Sequence, residues 1–197
     1  MASNVQMREV QRIAEQASLR KSDSSRHKCF ISYHVADMGE VERFVADYGS
    51  EFLPRSVGVT EDDDFVASTD TEYIKRRIRE KYLADSTVTI VLLGAGTWGR
   101  KFVDWEISSS LLNDSVNRRS GLLVIPLPSM RNSAHLPDRV SDNWVKGDQA
   151  ASYSAYRGYP TGLSSFRADI EAAFVARGSK GSLVNNSRAL RQRNAAS

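Results

Sequence analysis

The stretch Ser86-Thr-Val-Thr-Ile-Val-Leu-Leu-Gly-Ala-Gly-Thr-Trp-Gly-Arg-Lys-Phe-Val-Asp-Trp-Glu-Ile107 decides the fold. Residues 88–93 are an uninterrupted β-branched and apolar run, the composition of a strand buried on both faces inside a parallel sheet. The run stops at Gly94 and Gly96 and resumes with Val103, Ile107 and Leu111 at i, i+4 and i+8, which is helical spacing. A strand, a glycine turn and a helix in that order place the turn and the first helical residues at the carboxyl edge of the sheet. Open α/β sheets bind ligands at that edge. Glu106 stands there, between Trp105 and Ile107.

Similar units flank this one. Residues 29–33 (Cys-Phe-Ile-Ser-Tyr) predict a short strand, and Asp37 is placed to cap a helix over Val41, Phe44, Val45 and Tyr48. Val57 and Val59 predict a brief second strand before the acidic loop at 61–64. Asp70 opens a helix through Ile74, Ile78 and Leu83. Residues 121–127 form another buried-type run, Trp144 and Val145 a short strand, and Phe166, Ile170, Ala173 and Phe174 a last helix closed by Gly178. Strands alternating with helices imply an α/β three-layer sandwich with a parallel sheet of four to five strands. The economical order is the flavodoxin-like 2-1-3-4-5, whose switch point lies between strands 1 and 3. Ser32, Tyr33 and His34 at the end of strand 1 should then face the loop at 94–100 across one crevice.

The domain is expected at 28–177. Residues 1–27, with a weak stripe of Met7, Val10, Ile13, Ala14 and Ala17, read as a partly helical, mostly exposed extension. Residues 178–197 read as a basic disordered tail making few contacts with the crevice. A chain of 197 residues with 41% hydrophobic content suits one domain with a real core. A single cysteine, Cys29, excludes an internal disulfide and fits a reducing compartment. No apolar run approaches the roughly 20 residues of a membrane span, and the first 28 residues lack a signal-peptide core, so a cytoplasmic, soluble protein is expected. The net charge of +3 is uneven. Residues 177–197 carry five basic groups and no acidic one, while residues 28–176 carry 17 basic and 21 acidic groups. The domain itself therefore offers no broad nucleic-acid surface.

Several chemistries are absent. No glycine loop with Lys-Ser/Thr cradles a phosphate, and Gly94-Ala95-Gly96 lacks the third glycine of a dinucleotide fingerprint and follows the third strand, not the first. The three histidines are scattered, and one cysteine makes no metal site. The loop after strand 1 carries a bulky Tyr33 and His34 where a flavin phosphate would need small hydroxyl residues.

Phe30-Ile31-Ser32-Tyr33 followed by Asp37 resembles the opening signature of TIR domains. Residues 86–107, with a strand, a Thr-Trp turn, a basic pair and an aromatic-Glu-Ile helix, resemble the bacterial and archaeal TIR-like family that includes the TIR subunit of the Thoeris antiphage system. The resemblance spans about 28–127, with residues 70–78 in keeping. It implies an enzyme that consumes NAD as a substrate and needs no cofactor. In catalytic TIR domains a glutamate early in this helix grips the ribose next to nicotinamide, and Glu106 is the matching position. The ADP-ribose part is then hydrolysed, cyclised or joined to another acceptor, giving a signal to which a separate effector protein responds. By the same resemblance Ser32, Tyr33, His34, Phe102 and Trp105 are the substrate-binding candidates, and the loop at 60–68 gates the site and mediates self-association. The alternative that the resemblance carries is a catalytically silent module that signals by assembly.

The sequence departs from the family's pattern at one point. The family commonly has Trp four residues before the glutamate, on the same helical face, where this chain has Phe102: the ring is kept and the indole N–H is lost. Read from the residues alone, Glu106 could equally be a solvated carboxylate near a helix N-terminus. Ser32 could satisfy strand-end backbone, His34 could line the rim, Trp98 and Trp105 could be core, and the carboxylates at 61–64 could be a solvated turn or a weak divalent-ion site.

Overall fold

The computed structural model describes residues 4–55, 58–114, 117–130 and 135–195. Its centre is a five-stranded sheet of β1 (Lys28–Ser32), β2 (Leu53–Pro54), β3 (Val88–Leu93), β4 (Gly121–Pro126) and β5 (Ala155–Tyr156). All pairs are parallel and the order is β2-β1-β3-β4-β5, as the alternation of strands and helices predicts. Among the described residues six α-helices surround it: α1 (Asn4–Ser18), α2 (Met38–Tyr48), α3 (Thr71–Ile78), α4 (Lys101–Leu111), the single turn α5 (Asp138–Ser141) and α6 (Leu163–Ser179).

The period of two along β3 sorts its side chains into two cores. Val88, Ile90 and Leu92 pack with α1, α2 and α6, through residues such as Val10, Phe44 and Phe166. Val91 and Leu93 pack on the other face against Val103, Ile107 and Leu111 of α4. A third cluster joins Phe30, Ile74, Ile78, Trp105 and Leu190 beyond the edge of α4. Each large aliphatic side chain so buried contributes about 1.5–3 kcal/mol against leaving it exposed, which is why β1, β3 and β4 admit so few polar residues. Thr89 is an exception with a partner: its Oγ1 lies 2.7 Å from Ser110 Oγ, which donates to the carbonyl of Glu106.

The structure corrects four expectations. The second strand is not at Val57 and Val59. Leu53 N donates to the His27 carbonyl and Arg55 N to the Cys29 carbonyl, so pairing falls on Leu53–Pro54. Pro54 is tolerated because β2 is an edge strand; Val57 lies outside the described residues and Val59 is in a loop. The strand expected at Trp144 and Val145 is an isolated bridge between Val145 and Asp148, and the fifth strand is Ala155–Tyr156. Helix α1 is not mostly exposed: Met7, Val10, Ala14 and Ala17 are buried. The stretch after Gly178 is not a loose tail. Helix α6 continues to Ser179, and residues 184–195 run as a strap along α4, with Leu190 buried in the third cluster.

Asp70 caps α3, accepting from Glu72 N and Tyr73 N at 3.0 and 3.1 Å. Asp37 occupies the N-cap position of α2 without making that bond. Its carboxylate accepts from Thr97 Oγ1 at 3.0 Å, tying the loop after β1 to the loop after β3. Gly94 permits this approach, since a Cβ there would lie 2.0 Å from Asp37 Cγ.

Candidate active site

Strands β1 and β3 are neighbours with Ser32 opposite Val91, so the loops that leave their carboxyl ends converge. A cavity of about 380 Å³ opens there, lined among others by Tyr33, His34, Arg100, Phe102 and Glu106. It is at the small end of the range for ligand pockets.

Glu106 is the chemical centre of this cavity. On α4 it follows Phe102 by four residues, so both side chains share one face of the helix and meet the cavity together. Glu106 is only 2% exposed. Ser32 Oγ donates to Oε2 at 2.5 Å, and the backbone N–H of Val59 donates to Oε1 at 2.6 Å. Burial pushes the carboxyl up to about 8; the Ser32 and Val59 donors pull it down, and the Asp63 carboxylate nearby adds to the rise. An acid held this high is a functional-site signature when it lies in a cleft. The solvated-carboxylate alternative does not fit such burial.

The other candidates divide. Ser32 is fully buried and meets the cavity through its bond to Glu106. Tyr33 lines the cavity, and its hydroxyl is buried with no hydrogen-bond partner among the described residues. Burial first, then the charges of Glu106 and Glu42, raise its pKa, so the phenol stays protonated. His34 is pushed down to about 4 by burial and by Arg100, which keeps its ring neutral near pH 7. Its Nδ1 accepts from Ala36 N at 3.4 Å, which leaves the proton on Nε2.

Trp105 is not brought to the cavity. One residue before Glu106, it points about 100° away around the helix. Its indole is buried against Phe30 and Ile74, and Nε1 donates to the Arg191 carbonyl at 2.8 Å. Phe102 is the wall, with the Trp105 ring edge-on behind it at 5.6 Å.

The acidic loop also divides. Glu61 and Asp62 line the cavity. Asp63 is buried: it accepts from Tyr82 Oη at 2.7 Å and from Thr60 N at 2.8 Å, and pairs with Lys81. Asp64 pairs with Arg77 at 3.3 Å. Among the described residues, no group of three or more His, Cys, Asp or Glu side chains is disposed to hold a metal ion.

Two lining residues lie in segments that sequence reasoning placed outside the domain, Met7 of α1 and Asn194 of the strap. A helical stripe through Met7 was visible; nothing in the pattern around Asn194 signalled a site. Among the described residues no helix is long and apolar enough to cross a membrane.

No curated protein matches the chain closely enough to count as a relative. A sequence profile of the family described as "Thoeris protein ThsB, TIR-like domain" matches residues 30–132, which is more than half of the chain and includes Ser32, Phe102 and Glu106. The chain belongs to this TIR-like domain family of the Thoeris antiphage defence system.

Proposed function

We propose that this protein cleaves NAD at the nicotinamide–ribose bond and releases an ADP-ribose-derived signal for a separate effector protein. One observation carries the reading: a buried glutamate, held by Ser32 and the Val59 amide, faces a cavity beside an aromatic wall at the switch point of the sheet. NAD is the substrate, and the chemistry requires no added cofactor. Its positive nicotinamide ring favours the ionised form of Glu106. Each carboxylate oxygen accepts one bond in the structure and keeps a lone pair for a ribose hydroxyl.

As the glycosidic bond breaks, its electron pair leaves with neutral nicotinamide and positive charge develops on the ribose. A carboxylate in a dry pocket stabilises that charge far more than one in water. Phe102 offers a face for packing. Water or another hydroxyl then bonds to the anomeric carbon and gives up its proton to solvent. Location in the cytoplasm, where NAD is abundant, and self-association through the loop at 60–68 belong to the same reading.

The test is nicotinamide release from NAD, followed by chromatography with purified protein and an extract of infected cells as trigger. Glu106→Gln keeps the shape and removes the charge, and should lower turnover on the order of a hundredfold or more. Equal rates for the two proteins would overturn the reading.

A further inference from the structure

We propose that Asn194 is a positioning residue for Glu106, acting from the strap through the N-terminus of α4. The activity half of this inference rests on the function proposed above; the geometric half does not.

Arg100, the residue at the N-cap position of α4, makes no side-chain cap bond. The cap comes from 93 residues away, where Asn194 Oδ1 accepts from Lys101 N at 2.9 Å. An amide oxygen is among the best acceptors for the orphan N–H groups of a helix start. Next to it, Ala195 N donates to the Gly99 carbonyl at 2.8 Å. The approach is close: a Cβ on Gly99 would lie 2.5 Å from Ala195 Cβ.

The rest of the strap grips the same side of the helix. Arg191 N donates to Asp104 Oδ2 and Trp105 Nε1 to the Arg191 carbonyl, each at 2.8 Å. Asn186 Nδ2 donates to the Ser108 carbonyl at 2.9 Å. Positions 101, 104, 105 and 108 form one face of a helix with 3.6 residues per turn. Positions 103, 107 and 111 face the sheet, and 102 and 106 occupy the remaining face, towards the cavity.

The strap therefore closes the third side of the helix and fixes its rotation. Buried Arg139 locks the arrangement, donating to Asp104 Oδ1 at 2.8 Å and to the Ala189 carbonyl at 2.9 Å. A carboxylate held at one oxygen by Ser32 and at the other by Val59 tolerates little rotation of its helix, because the two donors lie on different elements and a shifted carboxylate cannot keep both bonds. A cap at the first turn, little more than one turn before Glu106, is where that rotation is best controlled.

The test uses the full chain with Asn194→Ala, and Asn194→Asp as the variant that keeps the accepting oxygen. Amide exchange of Val59 is the geometric readout, because its N–H is bonded to Glu106 and is not touched by Asn194. If the cap positions Glu106, Asn194→Ala should speed Val59 exchange about fivefold or more, and Asn194→Asp should restore the wild-type rate. A cap that merely tidies the helix end would speed only the first amides of α4 and leave Val59 unchanged, which would overturn the proposal.

In NAD turnover, kcat should fall about tenfold in Asn194→Ala with KM within about twofold. If Glu106→Gln abolishes turnover while Asn194→Ala leaves kcat intact, the positioning role fails and the proposed activity stands. If the wild type releases no nicotinamide, that activity fails, and Val59 exchange still decides the role of Asn194.

Discussion

Replacing Glu106 by glutamine should make the protein more stable, and increasingly so as the pH rises. Its carboxyl has an ordinary pKa of 4.5 in the unfolded chain and is pushed up to about 8 in the folded one. Between these values the unfolded glutamate is ionised while the folded one keeps its proton. The folded state then binds more protons, so stability falls as pH rises through the window and levels off above 8. The full gap corresponds to roughly 5 kcal/mol, an upper figure. Glutamine presents Oε1 to the Val59 N–H and can donate from Nε2 to Ser32 Oγ, so it leaves neither partner unpaired. Wild type and Glu106→Gln should differ little at pH 5. At pH 9 the variant should be ahead by roughly 2–5 kcal/mol, or about 5–15 °C in Tm for a chain of this size. Calorimetric melting of both proteins from pH 5 to pH 9 is the assay. Parallel curves, with a constant gap at every pH, would refute the reasoning.

The same carboxyl should appear in catalysis: kcat/KM for NAD cleavage should rise with pH and flatten above about 8, and a flat profile from pH 6 to 9 would mean that ionised Glu106 is not required. Gly94→Ala should destabilise by about 1–3 kcal/mol through the clash with Asp37, and most of this cost should vanish in an Asp37→Ala background when the two are compared by chemical denaturation. In cells challenged with phage, Glu106→Gln should abolish defence; defence intact in Glu106→Gln cells would mean signalling by assembly without catalysis.

The crevice was legible in the sequence because two periodicities meet at one glycine turn. The run at 88–93 and the spacing of Val103, Ile107 and Leu111 give a strand and a helix, and the switch-point rule brings Ser32 to the same edge. Helical geometry makes Phe102 the wall and Trp105 core, since four residues share a face and one residue does not; the expectation that Trp105 binds substrate overlooked this. What escaped detection has no period. Strand β2 is two residues long and contains Pro54, so propensity favoured the nearby valines instead. The strap docks by backbone groups, among them the N–H and carbonyl of Asn185 on the Asn143 side chain, and by the side-chain amides of Asn186 and Asn194, around the single buried apolar residue Leu190. Its composition is that of a loose polar tail, and only the partners waiting on α4 and Arg139 give it a place.

Those partners bear on how a carboxylate that is all but buried is held in place. The burial that lifts Glu106 to about 8 acts against folding from about pH 4.5 upward, so the surrounding structure must hold the helix in place against that cost. Two donors alone, Ser32 and Val59, hold only the carboxylate and leave the rest of the helix free to turn. Two fixed sides prevent the shift: apolar packing of Val103 and Ile107 on the sheet, and on another face the Asp104–Arg139 pair together with the strap from Asn186 to Asn194. Arg139 is fully buried, and its charge is matched by Asp104 and by carbonyl and amide oxygens of the strap. Removing either charge of that pair would strand the other in the interior, a loss of about 3–5 kcal/mol. The interior ion pair and the desolvated acid thus occupy opposite sides of one helix, and the first secures the orientation that the second requires.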